Sequence, residues 1–272
     1  MMPVIINFAL MPKFAIAVLF LFFSARVNAQ TWEVGGSLGG AAYIGDLNNS
    51  NPVKFSGGSA GIFVARNFNP YLGVKINYAY GKISGDDSKS NIQQFRDRNL
   101  SFVDPLKELS LQLEFNFMKY IPDAGKNKYT PYIYIGGGIT SFAPRALYEG
   151  KFYGLRQLRT EGQPKEYSKN AIVIPYGAGI KYNFTGKWTV GANIGYRYTN
   201  TDYLDDVSGV YADKSTFAKP LARAMSDRSG ERTGTYIGAA GSQRGDFRAK
   251  DIYMFAGFTI SYTFVPQRCY FE

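Results

Sequence analysis

The chain has no histidine and a single cysteine, Cys269, among its 272 residues. Without histidine it lacks the usual general base of barrel proteases, phospholipases and lipid A-modifying enzymes, so no enzymatic activity is expected. With one thiol and no imidazole the chain lacks the His and Cys ligands on which most protein zinc sites depend, so no metal is assigned. No Walker-type or dinucleotide motif is present, and no cofactor is expected. A lone cysteine cannot pair within its own chain; in an oxidising compartment it implies a bond to another protein or a free thiol. Beyond the N-terminal segment, no apolar run approaches the ~20 residues of a spanning helix.

What is present begins with an export signal. Lys13 precedes an apolar run from Phe14 to Phe23, followed by Ser24 and the small-residue site Val27-Asn28-Ala29. The run is too short for an anchor, so cleavage after Ala29 is expected, with Gln30 as the first mature residue. Gln30 rather than cysteine stands directly after that site, which argues against a lipoprotein. The formal charge of +10 becomes +8 once Lys13 and Arg26 leave with the signal. For an exported chain, that excess points to anionic lipid headgroups or acidic surface sugars rather than nucleic acid.

Aromatics are abundant, with 21 Tyr and 21 Phe beside 30 Gly. Tyrosine, with an apolar ring and a polar tip, suits a membrane-water boundary. Period-two alternation predicts eight strands, near 32–44, 57–68, 71–83, 109–119, 131–142, 171–184, 187–199 and 251–264. In the fourth, Leu109, Leu111, Leu113, Phe115 and Phe117 share one face, and Ser110, Gln112, Glu114 and Asn116 the other. Lipid outside and polar groups inside would produce that division. A soluble β-sandwich or lipocalin-like barrel has the same period, but its inward positions would be large and apolar, whereas here they are often Gly, Ser, Thr or Asn.

Connections alternate between short (67–70, 120–130, 185–186) and long (45–56, 84–108, 143–170, 200–250). Short periplasmic turns and long external loops have this rhythm. The expected fold is all-β: a closed, antiparallel, eight-stranded transmembrane barrel over 30–264, with a cleaved signal at 1–29 and a periplasmic tail at 265–272. A lumen of eight strands is filled by side chains, so diffusive transport is not expected. Glu33, Lys75, Glu114, Lys181 and Arg197 fall on the inward parity, mixed in sign, and are read as a plug. Arg66 and Lys82 fall outward near strand ends, where they can snorkel. Gly136-Gly137-Gly138 lies inside a strand and is read as close packing or a bend.

The loop after the seventh strand opens Thr201-Asp202-Tyr203-Leu204-Asp205-Asp206, with three carboxylates in five residues. Two readings stand: a hard-cation site such as calcium prefers, or an ordered loop with Asp caps and turns. The spacing matches no EF-hand.

Several blocks resemble the PorG-type outer-membrane barrel of the type IX protein secretion system. They are Gly39-Gly40-Ala41-Ala42 continuing into Tyr43-Ile44-Gly45-Asp46-Leu47-Asn48; Arg98-Asn99-Leu100-Ser101-Phe102; Leu109 to Asn116; Thr201 to Tyr211; and Asp251 to Phe264. The resemblance runs over nearly all of the mature chain. It implies an outer-membrane component that anchors or positions a periplasmic ring of a lipoprotein and its partner protein during cargo export, alongside other translocon components and outer-membrane lipid. It also marks Tyr43, Gly45, Asp46, Asn48, Thr201, Asp202, Tyr203, Asp205 and Asp206 as partner or family-motif positions. The tail would face the ring, giving Cys269 either an inter-protein disulfide or the role of an inert thiol. The long loops would face outside, away from the ring, and need another partner. The competing reading is a stand-alone surface barrel for adhesion or envelope stability; a narrow pore is a further one.

Overall fold

The computed structural model describes residues 31–48, 51, 53–122 and 127–264. The expected signal cleavage at Ala29 and the tail with Cys269 lie outside the described residues. Eight long strands form the wall: β1 Thr31–Ile44, β2 Phe55–Asn67, β3 Leu72–Asp86, β4 Ser101–Asn116, β5 Tyr129–Ser141, β8 Asn170–Asn183, β9 Trp188–Thr199 and β10 Ile252–Phe264. Between β5 and β8, β6 (Arg145–Tyr148) and β7 (Lys151–Gly154) make a small hairpin, joined to β4 only at Val103–Arg145. Among the described residues three short α-helices lie in the loops: α1 Gln93–Arg98, α2 Pro220–Ser226 and α3 Gly230–Thr233.

Every wall strand pairs antiparallel with its sequence neighbour, and β1 pairs with β10 from Trp32–Phe264 to Ile44–Ile252. That last pairing closes the sheet and removes both edges. The fold is thus the closed eight-stranded antiparallel barrel that the alternation predicts. The short connections gather at one end, the turn end, and the long loops at the other, the loop end.

Outward positions carry large apolar side chains in the open, among them Leu38 at 72% exposure and Phe258 at 76%. So large an apolar band is stable only against lipid. Around the turn end Trp32, Phe115, Phe117, Trp188 and Phe264 are exposed on the wall, forming an aromatic girdle of the kind that sits at a membrane-water boundary. Arg66 places its guanidinium 5.3 Å from the Trp32 ring at this level, and Lys82 is exposed near the loop end, in keeping with snorkelling.

All five expected inward charges are buried. Glu114 accepts hydrogen bonds from Lys75 Nζ and Lys181 Nζ, each at 2.5 Å. Arg197 meets Glu108 at 3.0 Å, and Glu108 also accepts from Tyr253 at 2.8 Å and Ser110 at 2.9 Å. Toward the turn end, Glu33 accepts from Ser261 at 2.5 Å. Among the described residues the mid-lumen leaves a cavity of about 40 Å³, beside Lys75, Gln112, Tyr134 and Arg197. That holds at most a few waters. Gly136 and Gly138 face the lumen, where an added Cβ would lie 2.2 Å and 2.4 Å from the carbonyl oxygens of Leu111 and Leu109, so close packing is their reason.

One strand departs from expectation. β4 begins at Ser101, eight residues before the predicted start, which shortens the preceding loop. Pro105 conceals this extension, yet it pairs with Lys82 within the ladder. The extension also inverts the membrane pattern: Phe102 and Leu106 point inward and are fully buried. They pack with Tyr43, Ile83, Phe142 and Tyr253 from the wall and with Leu155, Leu204 and Met225 from the loops. The long loops therefore fold onto the barrel's end around an apolar core of their own and cap it.

Candidate functional site

The cap is organised by the turn that follows β1. Gly45 and Asn48 exchange backbone hydrogen bonds, and Asn48 Nδ2 donates to the Tyr43 carbonyl at 2.6 Å. Gly45 tolerates only hydrogen as a side chain, because a Cβ would fall 2.1 Å from both Tyr43 Oη and Asp251 Oδ1. This compact turn holds Tyr43 and Asp46 pointing into the barrel mouth, both almost fully buried.

The loop from Thr201 closes over them. Thr201 is fixed by Thr199 Oγ1 and by the Asp251 N–H, which donates to its carbonyl at 2.9 Å. Tyr203 stacks on Tyr167 with centroids 4.5 Å apart, and Tyr167 stacks on Phe142. The Asp205 carboxylate accepts from Val207 N–H at 2.9 Å, an Asx turn, and from the Tyr43 hydroxyl. Asp206 takes a left-handed backbone, φ 68°, which Asp tolerates better than most residues, and accepts from Tyr167 at 2.7 Å and Thr160 at 2.5 Å. Asp251 accepts from Leu204 N–H at 2.9 Å and lies 3.3 Å from the Tyr43 hydroxyl. The loop reading with Asp caps and turns thus holds for Asp205.

The carboxylates nevertheless converge. Asp46, Asp202 and Asp251 each bring one oxygen within 4.8 Å of the others. Among the described residues none of the three, nor Asp205, has an ion-pair partner. Burial pushes Asp46 up to about 7, with Asp246 and Asp202 adding to the rise and Asp246 N–H and Arg98 opposing it. Burial, then the Asp246 and Glu161 charges, lifts Asp202 to about 6. Asp205 and Asp251 are raised well above the carboxylate range, chiefly by burial and then by neighbouring acids. The Tyr43 hydroxyl sits between these two carboxylates, donating to Asp205 and lying 3.3 Å from Asp251. A hard cation seated among the three clustered oxygens would relieve the same repulsion.

Two buried arginines tie the loops together. Arg98 ends α1, where Asn99 turns left-handed at φ 58°. Its guanidinium grips Asp87 at 2.7 and 2.8 Å and donates to the carbonyls of Arg244 at 2.6 Å and Asp46 at 3.0 Å. Arg244 in turn meets Glu161 at 3.0 Å and the Asp206 carbonyl at 2.8 Å.

All nine motif positions therefore lie in one cap. Asp251, Asp87, Arg244, Glu161 and Tyr167 also belong to the cap, although no motif in the sequence marks them as site residues. Asp251 was visible as the first residue of a resemblance block; the others sit in loops without periodicity, and Arg98 reaches 146 positions along the chain to Arg244.

Residues 12–220 match the family model described as Domain of unknown function (DUF6089). The chain belongs to the DUF6089 family. No curated protein matches this DUF6089 chain. Among solved structures, it is distantly similar to Neisserial surface protein A (TM-score 0.43, 12% identity, covering 86% of this chain and 97% of that one). A major outer membrane protein of Thermus thermophilus gives TM-score 0.43 and 11% identity over 87% of this chain and 100% of that one. OprG of Pseudomonas aeruginosa gives 0.40 and 11% over 87% and 97%.

Proposed function

We propose that this DUF6089 barrel is a non-enzymatic outer-membrane component of a type IX-like protein secretion machine, anchoring or positioning a periplasmic ring complex. The observation that carries the reading is the meeting of three separate resemblance blocks. Tyr43 to Asn48, Arg98 to Phe102 and Thr201 to Asp206 come from different loops and build one buried assembly through Tyr43–Asp205, Arg98–Asp46 and the Tyr43–Phe102 ring contact at 4.9 Å. A stretch that served only as a surface loop would not need this joint burial.

The filled lumen supports an anchoring role over a conducting one, because the charge layers leave no path for cargo. In the orientation proposed, the loop end faces the exterior and the short turns face the periplasm, where a ring would be met by the turns and the C-terminal tail. Cargo would cross elsewhere in the machine.

The test is a mild-detergent pull-down of the tagged protein from native envelopes, with co-purifying proteins identified by mass spectrometry, with and without reductant. Recovery of a periplasmic lipoprotein and its partner is the expected result. A clean monomer in all conditions would overturn the secretion reading and leave a stand-alone surface barrel.

A further inference from the structure

Asp205, Asp206, Asp227 and Asp251 of the cap are buried, and so are Arg98 and Arg244. Other cations of the cap stay at its surface, where two adjoining clefts of about 220 and 310 Å³ open between 157–164 and 214–236. Phe217 and Ala218 line both clefts and form the ridge between them.

The first cleft is lined by Arg159 and Lys219, and the second by Lys214, Arg223 and the exposed ring of Tyr236. No Asp or Glu lines either one. Lys214 is held by Asp227 at 2.7 Å, but among the described residues Arg159, Lys219 and Arg223 have no acidic partner. The wall of the first cleft also contains Gln163, whose Nε2 is buried without a hydrogen-bond acceptor. A buried donor left unpaired is costly, and turning the Gln163 amide outward to a ligand oxygen would relieve it.

We propose that this paired cleft binds an acidic glycan, one sugar unit on each side of the Phe217 ridge. The unpaired cations select carboxylated or phosphorylated sugars. The Phe217 and Tyr236 rings offer flat apolar faces to the C–H faces of pyranose rings, while Gln163 and Gln157 supply amide groups for hydroxyls. An acidic protein segment would also meet the cations, but polyglutamate has no pyranose C–H faces to lay on Phe217 and Tyr236 and therefore serves as the control. The inference goes beyond the secretion reading and needs from it only the outward orientation of the loops, so binding by purified protein stands or falls separately from the pull-down.

The test uses the full mature barrel in detergent, with polygalacturonate oligomers as probe and calorimetry as readout. Saturable binding is expected, weakened at least tenfold in K219E/R223E and several-fold in F217A, with heat-modifiable gel migration unchanged in both. Neutral maltoheptaose should not bind. Displacement by intact lipopolysaccharide and equally by its delipidated polysaccharide would identify the free glycan as sufficient; displacement by the intact form alone would assign the lipid-linked source. No saturable binding, unchanged affinity in K219E/R223E, or equal binding of polyglutamate would overturn the proposal.

Discussion

Glu114 is the most demanding position in the wall. It bridges Lys75 and Lys181 at 2.5 Å each, with its side chain 3% exposed and both lysines 10% exposed. Removing it in Glu114→Ala strands two ammonium groups in a narrow lumen, left with the Tyr134 and Tyr132 rings at 5.2 and 4.7 Å. Breaking a buried pair in this way costs about 3–5 kcal/mol, because the remaining charge loses its compensation. With a urea dependence on the order of 2 kcal/mol per molar, the unfolding midpoint should fall by about 2 M. The two tryptophans, Trp32 and Trp188, report the transition by fluorescence in lipid vesicles. The triple variant K75M/E114L/K181M replaces all three charges with apolar groups and should be neutral or stabilised by up to about 4 kcal/mol. A loss below about 1 kcal/mol in Glu114→Ala would refute the reasoning, since it would mean that water solvates the lysines and the lumen is wet.

Leu111→Arg, on the outward face of β4, should cost about 2–4 kcal/mol in vesicles if that face meets lipid; a neutral outcome in the same urea titration would count against burial in a bilayer. Arg98→Ala leaves Asp87 buried without its partner, so the loops should become sensitive to limited proteolysis while the barrel still migrates as folded. Intact loops would show that the arginine tie is dispensable. The cap should also respond to pH. Asp46 and Asp202 have folded pKa values of about 7 and 6, above the ordinary 3.8, so the folded cap holds protons that the unfolded chain releases. Their stabilising contribution is complete below about pH 4 and lost as pH rises to 7, so hydrogen exchange in 200–251, measured with chelator present, should slow as pH falls from 8 to 5 after correction for intrinsic rates. Faster corrected exchange at pH 5 would contradict this sign.

The wall was readable because lipid and lumen impose opposite demands on alternate residues. In β4 that gives Leu109, Leu111 and Leu113 against Ser110, Gln112 and Glu114, a contrast no other environment writes as clearly. The signal failed where the environment changed: above the membrane Phe102 and Leu106 turn inward to meet the loop core, so the same strand reverses its polarity code and passes as loop. The cap was legible only as blocks. Tyr43, Asp46 and Asp205 could be singled out, but their contacts are set by three-dimensional closure, with Tyr43 and Asp205 separated by 162 positions. Aspartates that cap exposed turns and aspartates buried against a tyrosine hydroxyl look alike in a sequence, and Asp205 does both, capping Val207 while buried against Tyr43.

Charge layers in the wall and the folded cap at its end close this barrel along its axis, and the proposed anchoring role rests on that closure. Planar-bilayer recording of the purified mature protein tests it most directly. A barrel closed in this way should insert without discrete conductance steps, at neutral pH and on either polarity. Stable, reproducible unitary steps from folded wild-type protein would contradict it and make the barrel a pore.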